Sequence, residues 1–249
     1  MVTKEIVAGR NRATDAQQIT PEEPVTTGIK PPPLQSGDRL TRYEFERRYQ
    51  AMPHLKKAEL IEGVVYMPSP VSASHSGAHG SIIGWLAAYC AETPGVKLND
   101  NATVRLDLDN EVQPDALLRL DAELGGNCEV GDDDYLEGPP ELIVEVAVSS
   151  AAYDLHDKLR VYRRNGVQEY IVWQIYDKQL DWFRLSEEGE YVPLEPDESD
   201  VIRSQVFPGL NLKATSLLEG NLADVLAELQ EGVDSAEHKA FVEGLKEKS

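Results

Sequence analysis

Residues Leu142-Ile143-Val144-Glu145-Val146-Ala147-Val148 form a nearly continuous apolar run with one acid at its centre. Such a run suits a strand covered on both faces, in the middle of a sheet. Strand alternation puts Glu145 on the face of Ile143 and Ala147. An ionised carboxylate there costs several kcal/mol, by rough estimate, unless it is paired or bound to a metal. The bland alternative is a glutamate at a sheet edge, reaching solvent or an arginine.

Other segments build around this run. Residues 41–52 read as a helix that Thr41 can cap, with Glu44 three residues on. Residues 59–67 read as a hairpin turning near Gly63. Ile82, Ile83, Leu86 and Tyr89 recur at helical spacing over 79–91, and residues 101–108 and 113–120 read as strands. The acid- and glycine-rich stretch 121–140 reads as a loop. Residues 155–164 read as a helix closed by Asn165-Gly166. A second hairpin spans 169–176 and 179–185, and a short amphipathic helix runs through Leu222, Val225, Leu226 and Leu229. This order predicts an α/β (α+β) fold, a mixed central sheet flanked by helices. We expect a disordered arm over 1–36, a domain over 37–232 and a charged tail over 233–249.

Composition narrows the function. There are 24 Lys plus Arg against 44 Asp plus Glu, a net charge of -20. Residues 107–137 and 186–249 each net -10, so the rest of the chain is neutral overall. The overall excess opposes non-specific nucleic-acid binding, but a neutral face is left for it. Arg42, Arg47, Arg48, Lys56, Lys57, Arg160, Arg163 and Arg164 are its cations, some of them balancing neighbouring acids. Two cysteines, Cys90 and Cys128, make no disulfide framework or zinc motif, and point to a cytoplasmic protein. No apolar run of about 18 residues occurs, so no membrane association is expected.

Asp115, in Gln113-Pro114-Asp115-Ala116, is a second acid beside an apolar strand segment. Alone it reads as a turn residue. Two carboxylates converging from neighbouring strands, however, suit Mg²⁺. Removing either acid would relieve charge crowding at an unmetallated site. Lys158 lies in the helix after the Glu145 strand, where Asp154 can cap the helix and meet it at i+4. Glu59 and Glu62 fall on opposite faces of the first hairpin, and the spacing does not say which faces a site. His79 opens a helix, a common place for a structural hydrogen-bonder. His75 and His156 read as exposed. Tyr170, Trp173 and Trp182 read as core or interface aromatics, and Tyr162 as a residue packing its helix on the sheet.

Five blocks carry a resemblance: Glu59-Leu60-Ile61-Glu62-Gly63, Gln113-Pro114-Asp115, Leu142-Ile143-Val144-Glu145-Val146, Tyr153-Asp154-Leu155-His156-Asp157-Lys158-Leu159 and Asn165-Gly166-Val167-Gln168-Glu169-Tyr170. In this order they resemble the Uma-two family of restriction-endonuclease-like proteins, in the PD-(D/E)xK nuclease superfamily, over roughly residues 40–230. The resemblance implies a DNA endonuclease using Mg²⁺ or Mn²⁺, with a homodimer allowed. It makes Asp115 and Glu145 metal ligands, Glu59 a further ligand and His79 an accessory residue. The superfamily lysine two residues after the acid is replaced here by Ala147. The family analogy passes that role to Lys158, giving a catalytic set of Asp115, Glu145 and Lys158. A lysine reaches about 6 Å beyond its backbone, enough to join two nearby carboxylates. The rival is a catalytically inactive nuclease-fold protein with a binding or regulatory role.

Overall fold

The structure is a computed structural model that describes residues 30–248 apart from Ser69 and Ser149. Most of the arm expected over 1–36 therefore lies outside the described residues. In chain order the elements are α1 (Arg42–Gln50), β1 (Glu59–Ile61), β2 (Val64–Tyr66), α2 (Ala73–Glu92), β3 (Val96–Asp100), β4 (Val104–Arg105), β5 (Glu111–Val112), β6 (Ala116–Leu120), β7 (Glu129–Val130), β8 (Leu136–Glu137) and β9 (Leu142–Ala147). They continue with α3 (Ala151–Tyr153), a π-helical turn (Asp154–Lys158), α4 (Leu159–Asn165), β10 (Glu169–Gln174), β11 (Gln179–Leu185), β12 (Tyr191–Pro193), β13 (Val201–Arg203), β14 (Asn211–Lys213), α5 (Ala214–Leu218), α6 (Leu222–Val233) and α7 (Ala236–Lys246).

One sheet has the order β2-β1-β5-β4-β8-β7, a second β12-β11-β10-β9-β6-β3, and β13 pairs with β14. β9 lies inside the second sheet, parallel to β10 and antiparallel to β6. All six of its residues are buried, which rules out the sheet-edge reading of Glu145. Leu142, Val144 and Val146 join a core with Trp85, Leu86, Trp173 and Trp182. Ile143 and Ala147 join another with Val161, Tyr162 and Tyr170. Helices thus cover β9 on both faces, as its unbroken apolar run requires.

The expected strands 101–108 and 113–120 shrink to β4 and β6, and the chain changes sheet just before each of them. β3 ends at Asp100, Asn101 takes a left-handed φ of 51°, and β4 resumes in the other sheet. Likewise β5 and β6 belong to different sheets, joined by Gln113-Pro114-Asp115; Pro114 has no N–H to continue a ladder. An alternating pattern survives such a crossing, so the sequence does not reveal it. The stretch 121–140, read as a loop, also carries the short strands β7 and β8.

Helix ends differ too. α2 begins at Ala73, ahead of its apolar stripe, because Ser72 Oγ accepts from the His75 N–H at 3.2 Å. Thr41 makes no side-chain cap; Glu44 turns instead to Arg47 and Arg48, each at 2.7 Å. The tail expected over 233–249 is corrected as well. Most of it is α7, capped by Ser235, with His238 and Leu245 buried. Its apolar positions are few and sit among charges, which hides the amphipathic pattern. The first hairpin turns at Glu62-Gly63, both with positive φ (49° and 72°), as a tight two-residue turn demands.

Buried Glu169, at the start of β10, ties the second sheet to the loop before β14. Its carboxylate accepts from Trp182 Nε1 (3.1 Å), Ser204 Oγ (2.8 Å), and the N–H groups of Gln205 (2.6 Å) and Val206 (3.2 Å). Glu169→Ala would leave these donors unpaired. We predict a loss of about 3 kcal/mol or more, read by urea unfolding; a loss below about 1 kcal/mol would show that the loop holds without it.

Candidate active site

The crossing segment Gln113-Pro114-Asp115 brings the two sheets together, and the acids gather there. β6 and β9 pair Ala116 with Val144, so the next antiparallel position sets Asp115 opposite Glu145. Cross-strand neighbours of this kind share a face. Asp115 Oδ2 accepts the Val146 N–H at 2.8 Å. Glu59, from the other sheet, accepts the Gln113 N–H at 2.8 Å through Oε1. Each acid thereby satisfies a backbone donor where a strand ends or crosses. Glu59, not Glu62, faces the site; Glu62 lies in the exposed turn and meets Arg160 and Arg164.

Lys158 enters from the helical side and is 3% exposed. Its Nζ lies 2.9 Å from Glu145 Oε1, 3.0 Å from Glu59 Oε1 and 3.8 Å from Asp154 Oδ1. The π-helical turn shapes this approach, with the Leu159 N–H reaching Asp154 O, an i→i+5 bond common at functional sites. Asp154 sits inside the helical segment and does not cap it. Tyr162, expected only to pack, also donates its hydroxyl to Glu145 Oε1 at 2.8 Å. The Tyr153 ring lies 5.5 Å from the Lys158 ammonium.

Two of the observed neighbours were not expected. Lys57, two residues before β1, brings its Nζ to 3.7 Å from Asp115 Oδ1. His75 lies in the first turn of α2, and its Nε2 is 3.3 Å from Asp115 Oδ2. The i,i+4 spacing of His75 and His79 was the available signal. His79 Nε2 reaches the backbone oxygen of Asp115 at 2.9 Å and Asp100 Oδ1 at 3.0 Å, so it braces the segment without touching the Asp115 carboxylate. His156 is exposed, as expected.

The electrostatics follow from burial and imbalance. Burial alone would raise the Asp115 pKa, but His75, Lys57 and the Val146 N–H together lower it to about 2. Burial pushes the Glu145 carboxyl above the ordinary range; Lys158 opposes this, and Asp115, Asp154 and Glu59 add to it. Burial would lower Lys158, yet Glu145, Glu59 and Asp154 hold its ammonium well above the usual value. The Lys158 ammonium stands among three carboxylates, Glu145, Glu59 and Asp154, and the excess negative charge there favours a proton or a further cation.

The residues fit an oxygen-seeking cation in their donor atoms. Among the described residues, Asp115 Oδ1, Glu145 Oε2 and Glu59 Oε2 accept no hydrogen bond. These are hard oxygens of the kind Mg²⁺ and Mn²⁺ take together with waters. In the present arrangement no three His, Cys, Asp or Glu side chains among the described residues converge closely enough to hold a metal. The Lys158 ammonium occupies the middle of the acids.

Seven of the eight cations singled out above have carboxylate partners. Arg42 pairs with Glu46, Arg47 and Arg48 with Glu44, and Lys57 with Asp115. Arg160 meets Asp157, Arg163 meets Glu190 and Arg164 meets Glu62. Lys56 has no such partner among the described residues.

The contacts of Asp115 reverse the expectation that removing this acid relieves crowding. A depressed folded pKa means stability present above the unfolded value of 3.8 and lost as pH falls toward about 2. Acid titration of wild type should therefore show a loss of stability over that window, and Asp115→Asn should shrink it. Equal acid sensitivity in the two proteins would show that Asp115 is not held by these partners.

Comparisons with known proteins bear on the family and the fold. A family model described as "Uma2: putative restriction endonuclease" matches residues 43–215. A solved structure from Anabaena variabilis ATCC 29413, described as a "putative nuclease belonging to DUF820", aligns with a TM-score of 0.54 at 12% identity, covering 70% of this chain and 96% of that one. At that identity the likeness concerns the fold. No curated protein matches. No helix among the described residues is long and apolar enough to cross a membrane. The family match spans well over half of the chain, and the chain belongs to the Uma2 restriction-endonuclease family.

Proposed function

We propose that the chain is a metal-dependent endonuclease that hydrolyses DNA phosphodiesters at Asp115, Glu145 and Lys158. The observation that carries this reading is the opposed register of Asp115 and Glu145 beside a buried ammonium. Asp115 and Glu145, with Glu59 Oε2 as a further donor, would hold Mg²⁺ or Mn²⁺. Such an ion, when bound, supplies Lewis acidity at the phosphoryl oxygen and eases ionisation of the attacking water. Tyr162 and Lys158 both hold Glu145 Oε1, which leaves Oε2 for the ion. His79 positions the Asp115 backbone. Lys158, held protonated by its acids, acts as a charge stabiliser for the developing phosphorane and not as a general base. The two free cysteines are consistent with a cytoplasmic setting.

A second reading is the same fold without catalysis, in a binding or regulatory role. It is favoured by the seven paired cations and by the way Lys158 fills the acid cluster. Calorimetric titration with Mg²⁺ and Mn²⁺, together with DNA cleavage assays, separates the two. We expect metal binding and cleavage by wild type. Asp115→Asn and Glu145→Gln should each lose at least about 100-fold in rate while staying folded. Lys158→Ala should lose most activity with metal binding largely kept, and Lys158→Arg should keep part of it. A wild-type protein that binds neither ion and cleaves no DNA would establish the second reading.

A further inference from the structure

Beside the acid cluster lies a concave pocket of about 390 Å³, walled by Tyr49, Met52, Lys56, Asn101, Gln113 and Tyr135 among others. Its size falls in the range of small-ligand sites. It shares its wall with the candidate active site. The Asn101 N–H meets Asp115 O at 3.3 Å, the Gln113 N–H meets the Glu59 carboxylate, and Lys56 precedes the Lys57 that faces Asp115. The pocket thus borders the segments that carry Asp115 and Glu59.

The chemistry of the wall is specific. Buried Gln113 directs its amide nitrogen to Thr103 Oγ1 at 3.0 Å and toward Tyr49 OH at 3.4 Å. That fixes the amide plane, and the carbonyl oxygen accepts nothing among the described residues. It is a preoriented acceptor for a donor edge. Tyr49 and Tyr135 bring aromatic rings. The Arg105 guanidinium lies 4.9 Å from the Tyr135 ring, yet Tyr135 is still 42% exposed. Lys56 supplies the one cation of the eight not already paired. An aromatic surface, a fixed acceptor and an unpaired ammonium together match a nucleobase with its attached phosphate.

We propose that this pocket receives one unstacked nucleobase of the DNA strand, adjacent to the scissile phosphate. A base inside a duplex is stacked on both sides and cannot enter, so the substrate is single-stranded or locally unpaired DNA. The net negative charge fits this, because a duplex presents a denser row of phosphates to the acidic surface. The inference rests on the nuclease reading for its orientation, but the pocket can be tested without cleavage.

The test uses the full chain in Ca²⁺ at low salt, with oligonucleotides carrying 2-aminopurine as a fluorescent base. We expect binding at least about tenfold tighter to a single strand than to its duplex, with an emission change on binding. Tyr135→Ala, at an exposed position, should lose about tenfold in affinity, and Lys56→Ala should lose affinity and flatten the salt dependence. An abasic nucleotide at the responsive position should mimic the Tyr135 variant. Circular dichroism confirms that both variants are folded. Equal affinity for duplex and single strand, with neutral pocket variants, overturns the inference. If wild type then still cleaves duplex DNA, the nuclease reading stands without it. If wild type cleaves no DNA but the pocket variants lose single-strand binding, the pocket stands and the nuclease reading falls.

Discussion

A single buried ammonium joins the two sheets where the acids gather. Lys158 sits within hydrogen-bond reach of Glu145 in one sheet and Glu59 in the other. Removing these charges from water costs several kcal/mol per ion, as an order of magnitude, and only near-ideal geometry offsets it. The geometry therefore has to be supplied by everything around it. The backbone N–H groups of Val146 and Gln113 fix Asp115 and Glu59, Tyr162 fixes Glu145, and the π-helical turn aims the lysine. Loss of any one acid still leaves the ammonium a partner, whereas loss of the lysine leaves the acids facing one another.

How much of this could be read in advance varied by residue. Glu145 was legible because an acid inside an unbroken apolar run is costly and must have a reason to be there. Asp115 became legible only beside it, since Pro-Asp is an ordinary turn. Lys158 was not legible from its own position, where a solvated helix lysine is the default; the family resemblance singled it out, and the geometry brings it to the acids. His75 and Lys57 were missed because each is polar in a polar stretch, and only the folded chain shows what it faces. The sheet-to-sheet crossings at 101–103 and 113–115 were invisible for a different reason. Strand alternation records which face a residue occupies, not which sheet it belongs to.

The acidity of the chain takes on meaning in the same frame. The cations that a sequence count leaves over for DNA are mostly spent on nearby carboxylates, several of them in surface pairs worth little to stability. What remains exposed is sparse. Recognition by such a surface has to come from shape and from a few fixed polar atoms more than from long-range attraction. Several buried acids, in contrast, are tied to specific donors, as at Glu169 and Asp115, and act as structural joints.

Lys158 follows the acids it meets in the chain, which sets the order in which they come together. Ala147 is buried in the same cluster as Val161 and Tyr162 of α4, and the cation beside Glu145 comes from the helical segment that follows β9. During synthesis Glu59, Asp115 and Glu145 all leave the ribosome before Lys158. Asp115 has Lys57 and His75 ahead of it in the chain, but Glu59 and Glu145 gain their shared cation only when the following helix docks on β9. Docking of that helix thus brings Glu59 and Glu145 to a common partner, and a chain truncated before it would carry these two acids without the cation they share.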